Sequence, residues 1–265
     1  MNTEATSTTK TVIVTIKERV AVVALNRPES FNALNQELVK DLTVALKEVS
    51  QNEAVDIVVL KGNGRGFSSG GDIKMMLNST NKADLGDLLS EVSSLIQTLY
   101  FMPKLTISAI HGAAAGLGLS MALATDYVIA EASSKIAMNF IGIALVPDGG
   151  GHYFLERRLG EVGAKHLIWE GKVMKAPEAL EKKVIDAVAE GSLEEAVENK
   201  VQAWLNSPIQ AMIETKKILA EKNRTLLMNV LESEKIAQSK MRQTQDHQEG
   251  IKAFVEKRKP NFIGK

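Results

Sequence analysis

One carboxylate stands in a setting that suits either a turn or proton transfer. In "LVPDGGGHY", Leu145 to Tyr153, Asp148 lies between a proline and three glycines, with apolar residues upstream. Aspartate in such a turn commonly caps backbone amides, and Asp148 could cap a helix that the glycines begin. It could also move protons. Phe140, Ile143, Leu145 and Val146 could supply an apolar pocket, which raises a carboxyl's pKa toward a useful value, while a helix N-terminus pulls the other way. His152 could face Asp148 on the first helical turn and tune it, with a partly exposed structural histidine the equal alternative.

Two glycine-rich turns are the other candidates, "GRGFSSGGDIK" (Gly64 to Lys74) and "HGAAAGLGLSMAL" (His111 to Leu123), each directly after an apolar run. Neither fits the phosphate-binding pattern GxxxxGK(S/T), and neither supplies a GxGxxG after a first strand, so a nucleotide-cofactor fold is poorly supported. Glycines there permit close chain packing. They would also let two turns aim backbone N–H groups at one point, and two such donors converging on a carbonyl oxygen hold developing negative charge.

The elements that must position these groups follow from periodicity. Val12, Val14 and Ile16 alternate as in a strand with one core face. A second strand, Val20 to Asn26, follows a short turn at "KER". Leu34, Leu38, Leu42, Ala45, Leu46 and Val49 recur at helical spacing. "DIVVLKG", Asp56 to Gly62, is a continuous apolar strand of the kind buried on both faces. Leu85, Leu88, Leu89, Val92, Leu95 and Leu99 mark a second helix, ended by Pro103. "LTISAIHG" is another buried strand, Gly118 to Thr125 a short helix, and "DYVIAEA" a further strand. This alternation implies a layered α/β core with crossover connections. From His152 onward the chain reads almost wholly helical.

Composition excludes several classes. The chain has 265 residues, 32 Lys+Arg against 32 Asp+Glu, and no cysteine. A net charge near zero gives no case for nucleic acid or an acidic membrane surface. The lack of cysteine removes disulfides, thiolate metal sites and cysteine nucleophiles, and fits the cytoplasm. His166 and His247 have no partners at metal-ligand spacing, so no metal is expected, and His111 is expected at a strand end. The charge-free run Leu105 to Thr125 is long enough for a membrane span. Its Ala, Gly, Ser, Thr and His111 favour a buried strand, turn and helix instead. "MNTEATSTTK" lacks a signal-peptide pattern.

Several of these motifs together resemble one family. "NRPESFNALN" (Asn26 to Asn35), "GRGFSSGGDIK", "HGAAAGLGLSMALATDYVIA" and "LVPDGGG" occur in the order and spacing of the crotonase superfamily, the enoyl-CoA hydratase/isomerase proteins. "EGIKAFVEKRKPNF" (Glu249 to Phe262) looks like that family's closing segment. The resemblance runs from Val12 to Phe262. It implies an α/β fold, a crotonase-like spiral of ββα units with a C-terminal helical trimerisation region. The implied organisation is a flexible segment 1–10, a core 11–205 and a helical region 206–265. It further implies a homotrimer or hexamer, and an acyl-CoA thioester as substrate, with CoA part of that substrate and no separate cofactor.

By motif position, the thioester oxygen would be held by the N–H groups of Gly71 and Leu117. Substrate contacts would come from Arg27, Ser69, Gly71, Asp72, Ile73, Lys74, Leu117 and Phe140. Arg27 and Lys74 are the expected cations near pantetheine and phosphates, and Asp72 is a bracket for its loop rather than a base. "EKRK", Glu256 to Lys259, would reach adenosine phosphates. Met75, Met76 and Leu77, with Leu85 to Leu89, are candidates for the acyl-pocket wall.

The sequence departs from the family's hydratases at two positions. Where these carry a pair of glutamates that activate water, this chain has Ser120 and Phe140, neither of which is a general base near neutral pH. Asp148 instead matches the acid after "VP" in the family's isomerases. The expected function is therefore an enoyl-CoA isomerase with Asp148 as its single acid/base. The alternatives are a hydratase or other crotonase-type reaction such as thioester hydrolysis, and a non-catalytic acyl-CoA-binding scaffold.

Overall fold

The computed structural model describes residues 5–73 and 82–265. Lys74, Met75, Met76 and Leu77 lie outside the described residues, as does the side chain of Leu85. A seven-stranded sheet forms the centre, in the order β1 (Ala5–Thr8), β2 (Val12–Lys17), β3 (Val20–Leu25), β4 (Ile57–Gly62), β5 (Leu105–Ile110), β7 (Tyr127–Glu131), β10 (Ala187–Ala189). The first three strands pair antiparallel, and β3 through β10 pair parallel. β1 lies within the segment 1–10 and is an edge strand that the sequence pattern did not reveal. The turn between β2 and β3 is tight, with Glu18 at a φ of 53°.

The continuous apolar runs have the expected cause. Every residue of β5 is buried, because helices cover both faces of the parallel part of the sheet. On one face lie α1 (Gln36–Gln51) and α2 (Lys82–Tyr100), whose Leu38, Leu42, Leu46, Leu95 and Leu99 are fully buried. Asn35 starts α1 by accepting the Leu38 N–H at 2.9 Å, an N-cap bond. On the other face, Leu193 and Val201 of α6 (Leu193–Leu205) and Ile209 and Ile213 of α7 (Ile209–Lys222) pack on Ile57, Val59 and Ile107.

A second, shorter ladder gives the fold its spiral form. Strands β3, β4, β5 and β7 each lead at the carboxyl end into a short extended segment. These segments bridge in turn: Leu34 to Gly71, Ser68 to Ala114, and β6 (Ala113–Ala115) to β8 (Lys135–Ala137). β9 (Met174–Lys175) closes this small sheet. The chain thus climbs in strand–strand–helix units, through α3 (Leu117–Leu123) and α4 (Gly151–Glu170), toward α5 (Ala176–Glu181). The region after His152 is not wholly helical. β10 joins the main sheet beside β7. Its three residues, Ala187–Ala189, are too few for alternation to stand out from the flanking helices.

The last three helices are α7, α8 (Arg224–Met241) and α9 (Gln245–Val255). Lys216 of α7 reaches Asp126 Oδ2 and the Lys104 carbonyl, each at 2.8 Å. Burial lowers the Lys216 pKa, and Asp126 opposes that shift. Asp126 also accepts the Thr106 N–H at 2.8 Å, so it is a structural tie. Leu227 and Leu231 of α8 join the same buried cluster as Leu38 and Ile96. His247 of α9 bonds the Ile143 carbonyl at 2.8 Å. Helices α8 and α9 therefore pack directly on the elements around Asp148. Among the described residues, no helix is long and apolar enough to cross a membrane.

Candidate active site

Asp148 follows a 3-10 turn, Phe140–Ile143, and precedes α4. It is buried, at 7% exposure, and Phe140 and Leu145 upstream are buried as well. Its Oδ1 has no hydrogen-bond partner among the described residues. Its pKa is pushed up to about 7, first by burial and then by the nearby charge of Glu234; Arg242, His152 and its own backbone N–H act in the opposite direction. Burial of a carboxylate without full compensation favours the neutral form.

Asp148 does not cap the helix after it. The N-cap of α4 is Gly150, a glycine in the left-handed region with no side-chain cap of its own. Glu234 of α8 serves that end instead. Its carboxylate accepts the Gly150 N–H at 2.7 Å and the His152 N–H at 3.1 Å. His152 also turns its Nδ1 to Glu234, at 2.8 Å. Of the two roles open to it, this is the partly exposed structural one: its side chain is 39% exposed and tied to Glu234. One helical turn beyond Glu234, Gln238 bonds the Val146 carbonyl. Glu234 and Gln238 thus hold the "VPDGGG" loop on either side of Asp148.

The two glycine turns meet through the short ladder. Ser68 accepts the Ala115 N–H at 3.0 Å and donates its own to Ala113 O at 2.9 Å. A side chain on Gly70 (φ 94°) would meet the Ala115 carbonyl at 2.6 Å and lie 3.5 Å from the Leu117 nitrogen, so glycine allows the turns to touch. Leu34 bonds Gly70 O and Asp72 N at 2.8 and 3.2 Å. In a parallel bridge, that leaves the N–H of the middle residue, Gly71, directed away from Leu34. Among the described residues, neither Gly71 N nor Leu117 N donates to a protein acceptor. The Asp148 loop closes on the same place. A Cβ on Gly149 (φ 64°) would lie 2.5 Å from Leu117 Cδ1 and 3.3 Å from Ser120 Cβ.

The remaining candidates divide. Ser120 is fully buried, and its hydroxyl lies on the Gly116 carbonyl at 3.5 Å. Phe140 places its ring 3.6 Å from where a Gly116 side chain would begin. Arg27 forms an ion pair with Asp72 at 3.2 Å and bonds the Ala33 carbonyl, so it braces the first glycine turn. Ser69 is exposed and its N–H bonds Phe31 O at 2.9 Å, while Ile73 is half-buried. His111 bonds the Gly64 carbonyl at 3.0 Å. Within "EKRK", Arg258 is tied to Glu249 and Glu256. Among the described residues, no group of three or more His, Cys, Asp or Glu could hold a metal ion.

Glu234, Gln238 and Arg242 did not emerge from the sequence, though a signal exists. The buried positions of α8 are Leu227, Leu231, Glu234 and Gln238. A carboxylate and an amide continue an apolar stripe, and polar groups placed to face a core require partners there.

A spiral of strand–strand–helix units whose glycine turns converge beside a buried acid defines a crotonase-type protein. The chain belongs to the enoyl-CoA hydratase/isomerase family, whose model matches residues 15–265. It is 48% identical to "Putative enoyl-CoA hydratase/isomerase YhaR" of Bacillus subtilis (strain 168), covering 92% of this chain and 95% of that one. It is 32% identical to the 1,2-epoxyphenylacetyl-CoA isomerase of Escherichia coli (strain K12), over 94% and 97% of the two chains. It is 31% identical to the crotonyl-CoA hydratase of Syntrophomonas wolfei, over 96% and 98%. Among solved structures, an enoyl-CoA hydratase from Mycobacterium avium subsp. paratuberculosis superposes with a TM-score of 0.86 at 29% identity, over 96% of this chain and 98% of that one.

Proposed function

We propose that the protein is an enoyl-CoA isomerase that moves a proton from C2 to C4 of a 3-enoyl-CoA, with Asp148 as the single carrier. The observation that carries this reading is the buried, unpartnered Asp148 Oδ1 next to turns that leave the Gly71 and Leu117 amides undonated. Ionised Asp148 takes a C2 proton. The electron pair moves into a dienolate whose oxygen the two amides hold. The acid then returns the same proton to C4, the double bond settles at C2–C3, and nothing is gained or lost overall. A pKa of about 7 leaves both forms of Asp148 accessible near neutral pH. Hydration needs a second group to activate water, which Ser120 and Phe140 do not provide.

In this reading the Arg27–Asp72 pair braces the first turn. Ser69, Ile73 and Phe140 lie along the acyl-CoA path, Lys74 is outside the described residues, and CoA enters only as part of the substrate. The lack of cysteine accords with the cytoplasm. The deciding assay compares 3-enoyl-CoA with 2-enoyl-CoA of equal chain length. Rapid conversion of the former and slow hydration of the latter is expected; brisk hydration without isomerisation sinks the reading. Because the base must be ionised, kcat/KM should rise with pH through about 7 and level off above it. A profile flat from pH 5 to 9 would remove Asp148 from the rate-limiting step.

We further propose a homotrimer, or a hexamer made of two trimers. Ile218, Leu219, Leu226, Met228 and Ile236 of α7 and α8 are 45–69% exposed in the single chain, an apolar surface larger than isolated residues explain. Sedimentation velocity at micromolar concentration should give a trimeric or hexameric mass. A stable monomer would refute the assembly.

A further inference from the structure

Beyond the candidate site, Glu234 is buried at 3% exposure in the C-terminal region, yet its two carboxylate oxygens take backbone amides 84 and 82 residues away. A buried carboxylate is costly unless it is fully bonded. A local alternative existed, since Asp148 sits two residues before Gly150 and aspartate readily bonds amides at a helix start. The structure uses the distant acid for capping and leaves the near one unbonded at Oδ1.

We propose that Glu234 is a positioning residue for Asp148: it occupies the amides that would otherwise capture the Asp148 side chain, and it places its negative charge beside it. The proposal rests on the reading of Asp148 as the proton carrier. Two carboxylates thereby divide two roles, one capping and one titrating. Gln238 continues the grip one turn along α8, at the Val146 carbonyl. The charged groups acting on Asp148 are Glu234 from α8, Arg242 just past the end of α8, and His152 from α4. His247 of α9 lies beside Arg242 and bonds Ile143 O. Glu234 disfavours the Asp148 anion, and Arg242 and His152 favour it. Removing the Glu234 charge therefore shifts Asp148 toward its ionised form at lower pH.

The test is Glu234→Gln, which keeps the shape and one acceptor oxygen but loses the charge. Carbon-13 carboxyl labelling of aspartate, with Asp148→Asn to identify the signal, follows the Asp148 titration without reference to activity. The titration midpoint should move to lower pH in Glu234→Gln, and the acid limb of kcat/KM should move with it. At pH 8, kcat should fall about 10- to 100-fold from a misplaced and weaker base, with KM little changed. A purely structural cap would lower activity at all pH values and leave the midpoint in place, and that result overturns the proposal.

If Glu234→Gln fails to fold, Glu234→Asp carries the test. One methylene shorter, it cannot span both amides, so a smaller shift in the same direction and slower turnover are expected; an unmoved midpoint with full turnover overturns the proposal. If the midpoint shifts while Asp148→Asn retains isomerase activity, the two carboxylates are coupled but the proton-carrier reading falls, and the positioning role for catalysis falls with it.

Discussion

Asp148→Asn is expected to slow conversion of 3-enoyl-CoA by about 100-fold or more, the usual scale for a positioned general base, without loss of stability. The rate follows from the proposed mechanism, because asparagine cannot accept the C2 proton. The stability follows from the geometry. The start of α4 is capped by Glu234, so the substitution removes no cap. The sign of the titration adds to this. The folded state raises the Asp148 pKa to about 7, so between roughly pH 4 and 7 it holds a proton that the unfolded chain has released. Stability from this group is therefore lost as pH rises through 7. At pH 8 the wild type buries an anion with an unpartnered oxygen, and Asp148→Asn should gain stability by ~1 kcal/mol or more. Thermal unfolding at pH 5 and pH 8, beside turnover, checks both parts. A large drop in melting temperature with a modest loss of rate would return Asp148 to a structural role.

Gly71→Pro is expected to lower kcat by about 100- to 1,000-fold, equivalent to the ~2.7–4 kcal/mol that one donor to an oxyanion supplies. Proline deletes the N–H proposed to hold the thioester oxygen. The ladder itself should survive. The bridge to Leu34 uses Gly70 O and Asp72 N, and neither belongs to residue 71. Gly71 is also absent from the glycines with positive φ, so the fixed φ of proline is not opposed by a left-handed backbone. Circular dichroism and thermal unfolding establish that the variant folds; full turnover in a folded variant would show that Gly71 is not the donor.

Much of the framework was legible in the residues. Strand β4, strand β5 and helix α1 lie where local apolar periodicity placed them, because burial on one face or on two imposes a repeat that a short window contains. The glycine turns were visible for a related reason: the positive φ of Gly70 and Gly149 and the close contacts there admit no side chain. The motif order from Asn26 to Phe262 pointed to the family that the comparisons confirm. Short strands were less legible. β6, β8 and β10 have three residues each, fewer than alternation needs, and they exist because the spiral offers a neighbouring ladder to pair with.

The sequence alone supplied the carboxylate at 148, the missing glutamates at 120 and 140 and the glycines that bring the turns together, since these are properties of residue type and local spacing. Only the tertiary structure decided what Asp148 is free to do. Whether a turn aspartate caps a helix or stays unbonded depends on which group reaches the Gly150 and His152 amides first. The answer, Glu234, comes from 84 residues away from Gly150. His152 was drawn to that same carboxylate and Arg27 to Asp72, pairings with no local periodicity behind them. Hydrogen bonds and charge effects act over a few ångströms in space, and chain distance does not limit them once the helices of the C-terminal region have packed over the loop.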